Sequence, residues 1–184
     1  MKTIREHIIE TASDLFYRKG YNSTGINEII SEAGVAKATL YNYFKSKDHI
    51  CVEFLRFKNT DLIVEMGKYV ETKPKGKAQV LAIFDFLLEF YNTDNFFGCW
   101  CINTSSQIQE DDEMILNEIQ HQKDLFFALV RRIISQNLID PSEDDVERLS
   151  KKVYLLYEGA ITESFVQKDA WPILEAREIC NAIL

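Results

Sequence analysis

The chain contains few of the residues that break helices or cross-link small folds. Its 184 residues include only three prolines, seven glycines and four cysteines. Scarce Pro and Gly, together with long stretches in which Ile, Leu and Phe recur every three or four residues, favour several helices over many short strands. Four cysteines are too few for a disulfide scaffold, and their spacing fits no zinc pattern. The sequence therefore predicts an all-α protein with reduced thiols, no metal and no cofactor.

The chain also lacks a membrane-spanning run and a catalytic signature. No stretch reaches the roughly 18 apolar residues of a span, and the first residues include acids where a signal peptide has an apolar block, so we expect a cytoplasmic protein. The histidines His7, His49 and His121 are far apart in sequence, and there is no phosphate-binding Gly-rich loop and no nucleophile elbow. The acidic run at 111–113 is better explained as a helix start stabilised by the helix dipole than as a metal site. An enzyme is not expected.

Charge is distributed unevenly along the sequence. The net charge of −8 argues against nonspecific coating of nucleic acid or of an anionic membrane. Residues 1–50, however, carry seven basic and six acidic side chains, a net charge of +1, which leaves −9 for the remaining 134 residues. Only the N-terminal end can approach a phosphate backbone without repulsion.

Apolar periodicity predicts a succession of helices. They are expected at about 2–19, 26–33, 34–44, 47–69, 78–91, 101–109, 113–137, 143–168 and after Pro172. Gly20 and Gly34 separate the first three, because a glycine turns the chain in a left-handed conformation at little cost. The N-terminal end is therefore expected to contain three short helices.

Residues 34–44, GVAKATLYNYF, form the most informative stretch. A tight glycine turn between two short helices, followed by Val35 and by Leu40 inside the second helix, is typical of a helix-turn-helix. Lys, Thr and Asn are side chains that can contact base edges, and a tyrosine hydroxyl can donate to phosphate. Such turns also occur in many other all-α proteins, and tyrosines on amphipathic helices are usually packing residues. The pattern alone leaves DNA binding and plain packing open.

Over about residues 5–50 the sequence resembles the N-terminal DNA-binding domain of the TetR family of bacterial transcriptional regulators. The shared positions occur in one order: Phe16, Gly20, Tyr21, Thr24, Ile29, Ala33, Gly34, Val35, Thr39, Leu40, Tyr41, Phe44 and Lys47. The resemblance implies a three-helix DNA-binding domain at 1–47. It also implies a helical effector-binding and dimerisation domain at 48–184.

The resemblance further implies roles for individual side chains. Base-facing residues would be Lys37, Ala38, Thr39 and Asn42, and phosphate-holding residues would be Thr24, Tyr41, Tyr43 and Lys47. Three positions depart from the family pattern: Gly25 stands where Ser or Thr is common, Ile30 where Ala is common, and Ala36 where a Ser often caps the recognition helix. Loss of such a cap costs about 0.5–2 kcal/mol if nothing compensates.

For the C-terminal part, the resemblance implies a homodimer through the helices at 113–137 and 143–168. Each of them carries an apolar stripe, although a stripe of that width is more often intrachain core. An apolar or aromatic effector is favoured by a set of predicted pocket residues, each of which could also be ordinary core: Met66, Phe84, Phe90, Phe97, Cys99, Trp100 and Tyr154.

The stretch FFGCWCINTSSQI, residues 96–108, resembles a segment of the NemR-like repressors of the same family, in which the cysteine at the position of Cys99 responds to electrophiles. A buried structural cysteine is the alternative. The predicted function is a repressor released from a palindromic DNA operator when a small apolar or aromatic effector binds. The alternatives are a thiol-based sensor acting through Cys99 and a ligand-binding protein of the same fold without DNA binding.

Overall fold

The structure, a computed structural model, describes residues 2–109 and 112–184. Every regular element in these residues is a helix: α1 (Ile4–Lys19), α2 (Ile26–Glu32), α3 (Lys37–Tyr43), α4 (Lys47–Glu71), α5 (Lys77–Tyr91), α6 (Trp100–Ser105), α7 (Glu113–Asn137), α8 (Glu143–Gln167) and α9 (Trp171–Ile183). The all-α prediction is confirmed. Asp111, in the predicted acidic helix start, lies outside the described residues. Within them, no cluster of His, Cys, Asp or Glu could hold a metal ion, and no helix is long and apolar enough to cross a membrane.

The chain divides into two compact units. The first comprises the described residues up to Asp61 and those from Trp100 to Lys123, and the second comprises Leu62–Cys99 and Asp124–Leu184. The first unit extends past the predicted domain boundary after Lys47, because it includes part of α4, all of α6 and the beginning of α7. The position of the functional boundary stays a prediction.

The first unit is built around α1. This helix begins with a capping box, in which the Thr3 hydroxyl accepts from the backbone N–H of Glu6 (3.2 Å) and the Glu6 carboxylate accepts from the backbone N–H of Thr3 (2.8 Å). It ends at Gly20, which has φ = 92°. The core of the unit includes Ile8, Ala12, Phe16, Ile29, Leu40 and Phe54, all of them buried. These side chains hold the three short helices and the first half of α4 together.

Helix α6 is shorter than the sequence predicts. It is expected at 101–109 but ends at Ser105. Beyond this point the Ser106 hydroxyl and the Gln107 amide both donate to the backbone oxygen of Asn103, at 2.9 and 3.1 Å. These side chains occupy a carbonyl that would otherwise accept the next helical N–H, so the helix stops.

In the second unit, α8 packs against α9 and α5, and α5 also packs against α9. Helix α8 begins at Ser142, whose hydroxyl accepts from the backbone N–H of Asp145 at 3.1 Å. An ion pair between Arg177 and Asp85 (2.6 Å) joins α9 to α5. The unit is therefore a helical bundle with its own core.

The stripes predicted as the dimer interface lie mostly inside the subunit. On α7 every member is buried: Ile115, Ile119, Phe126, Leu129, Val130 and Ile133. On α8 four of the six members are buried, Leu156 is half-buried and Phe165 is exposed; the buried ones are Val153, Tyr157, Ala160 and Ile161. The rings of Phe126 and Tyr157 lie 4.7 Å apart. Packing within one chain therefore explains most of the pattern on which the predicted interface was based.

Candidate nucleic-acid interface

The turn between α2 and α3 is centred on Gly34. Its φ is 62°, its N–H donates to the Ser31 oxygen (3.1 Å), and the N–H of Val35 donates to the Ile30 oxygen (3.2 Å). These bonds satisfy the last carbonyls of α2 in a left-handed conformation that glycine adopts without strain. Because α2 also packs against α1 and α3, the turn fixes α3 in the arrangement of a helix-turn-helix.

Helix α3 is anchored by one side chain. Leu40 is fully buried, and it is the only buried residue of this seven-residue helix. Of the four predicted base-facing residues, Lys37, Ala38 and Asn42 are exposed, and Thr39 is half-buried. No side chain caps the helix at Ala36, as the departure from the family pattern implies. The outer surface of α3 is therefore open to a partner.

The predicted phosphate-holding residues fall into two groups. Tyr41 and Tyr43 are 43% and 45% exposed. Thr24 is fully buried, and its hydroxyl donates to the Gly20 backbone oxygen at 2.9 Å. In this conformation the Thr24 hydroxyl stabilises the turn after α1 and is not presented to a phosphate.

Lys47 also holds that turn. Its ammonium donates to the backbone oxygens of Tyr21 (3.0 Å) and Thr24 (3.3 Å), and lies 4.1 Å from the centre of the Tyr21 ring. The Tyr21 hydroxyl donates to Asp48. Burial, and then the bond to Asp48, raise the pKa of Tyr21. The turn between α1 and α2 is thus tied to the first turn of α4.

A second contact to the same turn comes from the segment after α6. The Asn22 backbone N–H donates to the Gln107 side-chain oxygen (3.0 Å), and the Asn22 amide donates to the Gln107 backbone oxygen (2.5 Å). The Gln107 amide lies so close over Gly20 that a Cβ there would sit 2.7 Å from its oxygen. The sequence gives no signal for this contact, because the two residues are 85 positions apart.

The seven predicted effector-pocket residues divide between the units. Six belong to the second unit, Met66, Phe84, Phe90, Phe97, Cys99 and Tyr154, whereas Trp100 belongs to the first. Met66 and Phe84 are fully buried. The Trp100 ring packs against Tyr17 at 5.9 Å. Met66, Phe84 and Trp100 therefore each have a packing role, and contact of the predicted set with an effector stays a prediction.

All four cysteines are buried and free of disulfides. Burial raises the pKa of Cys51 to about 12 and that of Cys180 to about 11, which makes both thiols poor nucleophiles. The burial of Cys99 agrees with the structural alternative, and a reactive thiol there stays a prediction.

Comparison with known proteins supports the N-terminal assignment. Residues 8–54 match the family model described as bacterial regulatory proteins, tetR family. The chain is 26% identical over 176 residues to the uncharacterized HTH-type transcriptional regulator YxaF of Bacillus subtilis, covering 92% of this chain and 89% of YxaF. The relatives are transcriptional regulators rather than enzymes, which confirms the prediction against an enzyme.

Two further similarities extend over nearly the whole chain. The biofilm operon icaADBC HTH-type negative transcriptional regulator IcaR of Staphylococcus aureus is 24% identical over 168 residues, with 90% of this chain and 87% of IcaR covered. The reduced form of E. coli NemR superposes with a TM-score of 0.84 at 19% identity, covering 96% of this chain and 94% of NemR. At that identity the NemR likeness shows the fold alone.

Proposed function

We propose that this chain is a cytoplasmic repressor of the tetR family that binds a palindromic operator as a homodimer and is released by a small effector. The match of residues 8–54 to that family model and the similarity to an HTH-type regulator over most of the chain support the proposal. The observation that carries the proposal is helix α3, a short helix that is held by Leu40 and exposes Lys37, Ala38 and Asn42. A major groove admits such a helix. IcaR is a negative regulator, which supports the sign of regulation.

Base recognition is assigned to the exposed side of α3. Lys37 can donate to guanine N7 and O6, Asn42 can bond adenine, and Thr39 can touch a thymine methyl. Ala38 carries no polar atom in its side chain, so it contributes close approach and apolar contact. Each good base contact discriminates by about 1–3 kcal/mol, so these side chains would determine the operator sequence.

Phosphate binding is assigned to Tyr41, Tyr43 and Lys47. The two tyrosines are exposed at α3. A lysine ammonium has three N–H donors, and Lys47 uses two of them on backbone oxygens, which leaves one for a phosphate. Thr24 has no free donor in its side chain, so its part in DNA binding is to hold the turn that carries these groups.

The proposed dimer uses α8 and α9 instead of the predicted pair α7 and α8. On α8, Leu155 and Val166 are 68% and 64% exposed, and on α9 Trp171 and Leu174 are 53% and 48% exposed. Gly159 lies between the two α8 residues at helical spacing, with open space where a Cβ would be. Exposed apolar side chains grouped in this way mark association surfaces. A dimer places two α3 helices on the two half-sites of a palindrome.

Release by an effector requires a difference in affinity between two conformations. An effector that binds the DNA-incompatible form more tightly shifts the population toward it, and DNA must weaken effector binding by the same factor. The second unit, with its aromatic core, is the proposed location of the effector.

The experiment is selection of bound sequences from a random duplex pool, by wild type and by two variants. Tyr41→Phe removes one hydroxyl and should weaken binding to every sequence by about ten- to hundredfold, because a hydrogen bond to a charged group contributes about 1.5–3 kcal/mol. Asn42→Ala should relax the preference at one base position per half-site. Tyr69→Phe, on α4 in the second unit, is the matched control and should bind like wild type. A wild type that enriches no palindrome would favour the alternative of a ligand-binding protein without DNA binding.

A further inference from the structure

A buried hydroxyl in the second unit has no hydrogen-bond partner. Ser164, near the C-terminal end of α8, is 0% exposed. Its Oγ is the one buried side-chain nitrogen or oxygen without a partner in the part of the chain that the structure describes. A buried polar group left without a partner lowers stability, and such a group in a native protein calls for an explanation.

Other helical hydroxyls in this chain solve the same problem locally. On α8 itself, Ser150 donates to the Val146 oxygen (2.6 Å) and Thr162 to the Glu158 oxygen (2.8 Å), each four residues earlier. The corresponding acceptor for Ser164 is the backbone oxygen of Ala160, and the hydroxyl does not use it. The Ser164 hydroxyl is therefore available to a group from outside the helix.

The face of α8 that carries Ser164 is apolar. Helical spacing puts it on the same face as Tyr157, Ala160 and Ile161, all of them buried and none of them charged. The next residue, Phe165, packs against the ring of Phe96 at 6.4 Å. A mostly apolar environment with one polar group is the composition of a small-molecule site.

The aromatic cluster around Phe96 extends to α5. The Phe96 ring lies 5.4 Å from Phe90 and 5.0 Å from Tyr91. Phe165 also lies against Gly98, where a Cβ would come within 2.9 Å of the Phe165 ring. Phe165, the neighbour of Ser164 in sequence, is thus part of a cluster that contains Phe90, one of the residues predicted for the effector pocket.

We propose that Ser164 is the polar anchor of the effector site, and that it donates to an oxygen of a neutral, largely aromatic ligand such as an aryl ketone. This inference rests on the proposed function and specifies its ligand class. The ligand is neutral because the residues on this face carry no charge, and a buried charge without a partner is costly. The hydroxyl orients the ligand, and the buried side chains on the same face of α8 supply apolar contact.

The test compares two probes of the same shape, acetophenone and α-methylstyrene, which differ in C=O against C=CH2. Affinities for wild type, Ser164→Ala and Ser150→Ala are measured by calorimetry. Ser164→Ala should lower the affinity for acetophenone by about two- to tenfold, since a net hydrogen bond contributes that much, and leave α-methylstyrene unchanged. Ser150→Ala, whose hydroxyl is already bonded within α8, should leave both affinities unchanged.

The ligand-free melting temperature provides a second readout. Removal of an unsatisfied hydroxyl should raise it by about 2–4 °C in Ser164→Ala, whereas Ser150→Ala should not raise it. A fall in Ser164→Ala would mean that the hydroxyl is satisfied, for instance by a buried water, and would overturn the proposal. Equal acetophenone binding by wild type and Ser164→Ala, or no binding of either probe to wild type, would overturn it as well.

The outcomes separate this inference from the proposed function. If wild type enriches an operator but shows no Ser164-dependent preference for acetophenone, the proposed role of Ser164 is refuted and the proposed repressor function stands. If wild type shows the preference but selects no operator, the proposed role of Ser164 stands and the proposed DNA-binding function is refuted.

Discussion

Glu118 on α7 is a buried carboxylate whose replacement tests the electrostatics of the first unit. Its side chain is only 7% exposed, and it accepts a hydrogen bond from Arg56 at 2.7 Å and another from Gln122. Arg56 in turn pairs with Glu53 at 3.1 Å. Burial alone would raise the pKa of Glu118, but the bonds from Arg56 and Gln122 outweigh it, so the pKa lies below its ordinary value. We predict that Glu118→Gln destabilises the unit at neutral pH.

The expected loss of stability in Glu118→Gln depends on how exposed its partner, Arg56, is. Breaking a fully buried ion pair costs about 3–5 kcal/mol. Arg56 is 53% exposed and keeps Glu53, so its charge returns to water and most of that penalty is absent. What remains is a charge-assisted bond of about 1.5–3 kcal/mol, partly replaced by the neutral bond that a glutamine can accept. The free energy of unfolding should therefore fall by about 1–2 kcal/mol.

The assay is urea unfolding with a reporter confined to one unit. Trp100 lies in the first unit and Trp171 in the second, so a Trp171→Phe background leaves Trp100 fluorescence as the signal for the first unit. Because the folded pKa of Glu118 is depressed, its stabilisation is complete above the unfolded value of about 4.3 and disappears as pH falls through the lower folded value. The difference between Glu118→Gln and its background should be full at pH 7 and should shrink in acid.

Two results would refute this reasoning. One is equal stability of Glu118→Gln and its background at pH 7, and the other is a difference that stays constant into acid. Asp14→Asn is the control, because Asp14 and Arg18 form an ion pair of 3.7 Å in which both side chains are more than half exposed. Such a surface pair should give no measurable change.

Three further predictions concern Gly98, Gln107 and Gly159. Gly98→Ala should lower stability by more than about 1 kcal/mol in thermal denaturation, because the glycine has φ = 75° and a Cβ would meet Phe165; full stability would contradict the contact. Gln107→Ala should speed hydrogen exchange of the backbone N–H of Asn22, which loses its acceptor, the Gln107 side-chain oxygen, and an unchanged rate would mean that this bond is absent in solution. Gly159→Ala should stabilise the isolated subunit by up to about 1 kcal/mol and weaken self-association in sedimentation, and unchanged association would place the dimer interface elsewhere.

The helix-turn-helix could be predicted from sequence because its determinants are local. Gly34 adopts the left-handed conformation that the turn requires, and Leu40, six residues later, is the buried anchor of α3. The absence of a side-chain cap at Ala36 could likewise be predicted from the sequence, because alanine has no side-chain acceptor. Each of these properties depends on neighbours within one helical turn or two, and the residue type alone restricts the backbone strongly.

The surroundings of the site could not be predicted, because they depend on contacts between distant parts of the chain. Sequence suggested phosphate contacts for Thr24 and Lys47, but nothing local indicates that the Thr24 hydroxyl is buried or that Lys47 donates to the turn. The pairs Asn22 with Gln107 and Arg56 with Glu118 are separated by 85 and 62 positions. Apolar stripes likewise do not reveal whether their partner is the same chain or another one.

The first compact unit is assembled from two stretches of chain, with residues 62–99 of the other unit between them. A ribosome delivers the chain from its N-terminus. The helix-turn-helix therefore emerges long before Gln107 and Glu118, which fasten its turn and support α4. During synthesis α3 and the turn before α2 therefore lack these contacts until the chain has grown past residue 118. A chimera joined after residue 47 or 61 would likewise separate the helix-turn-helix from the contacts that residues 100–123 make in the same unit. An exchange of the first unit between two such proteins therefore needs both stretches.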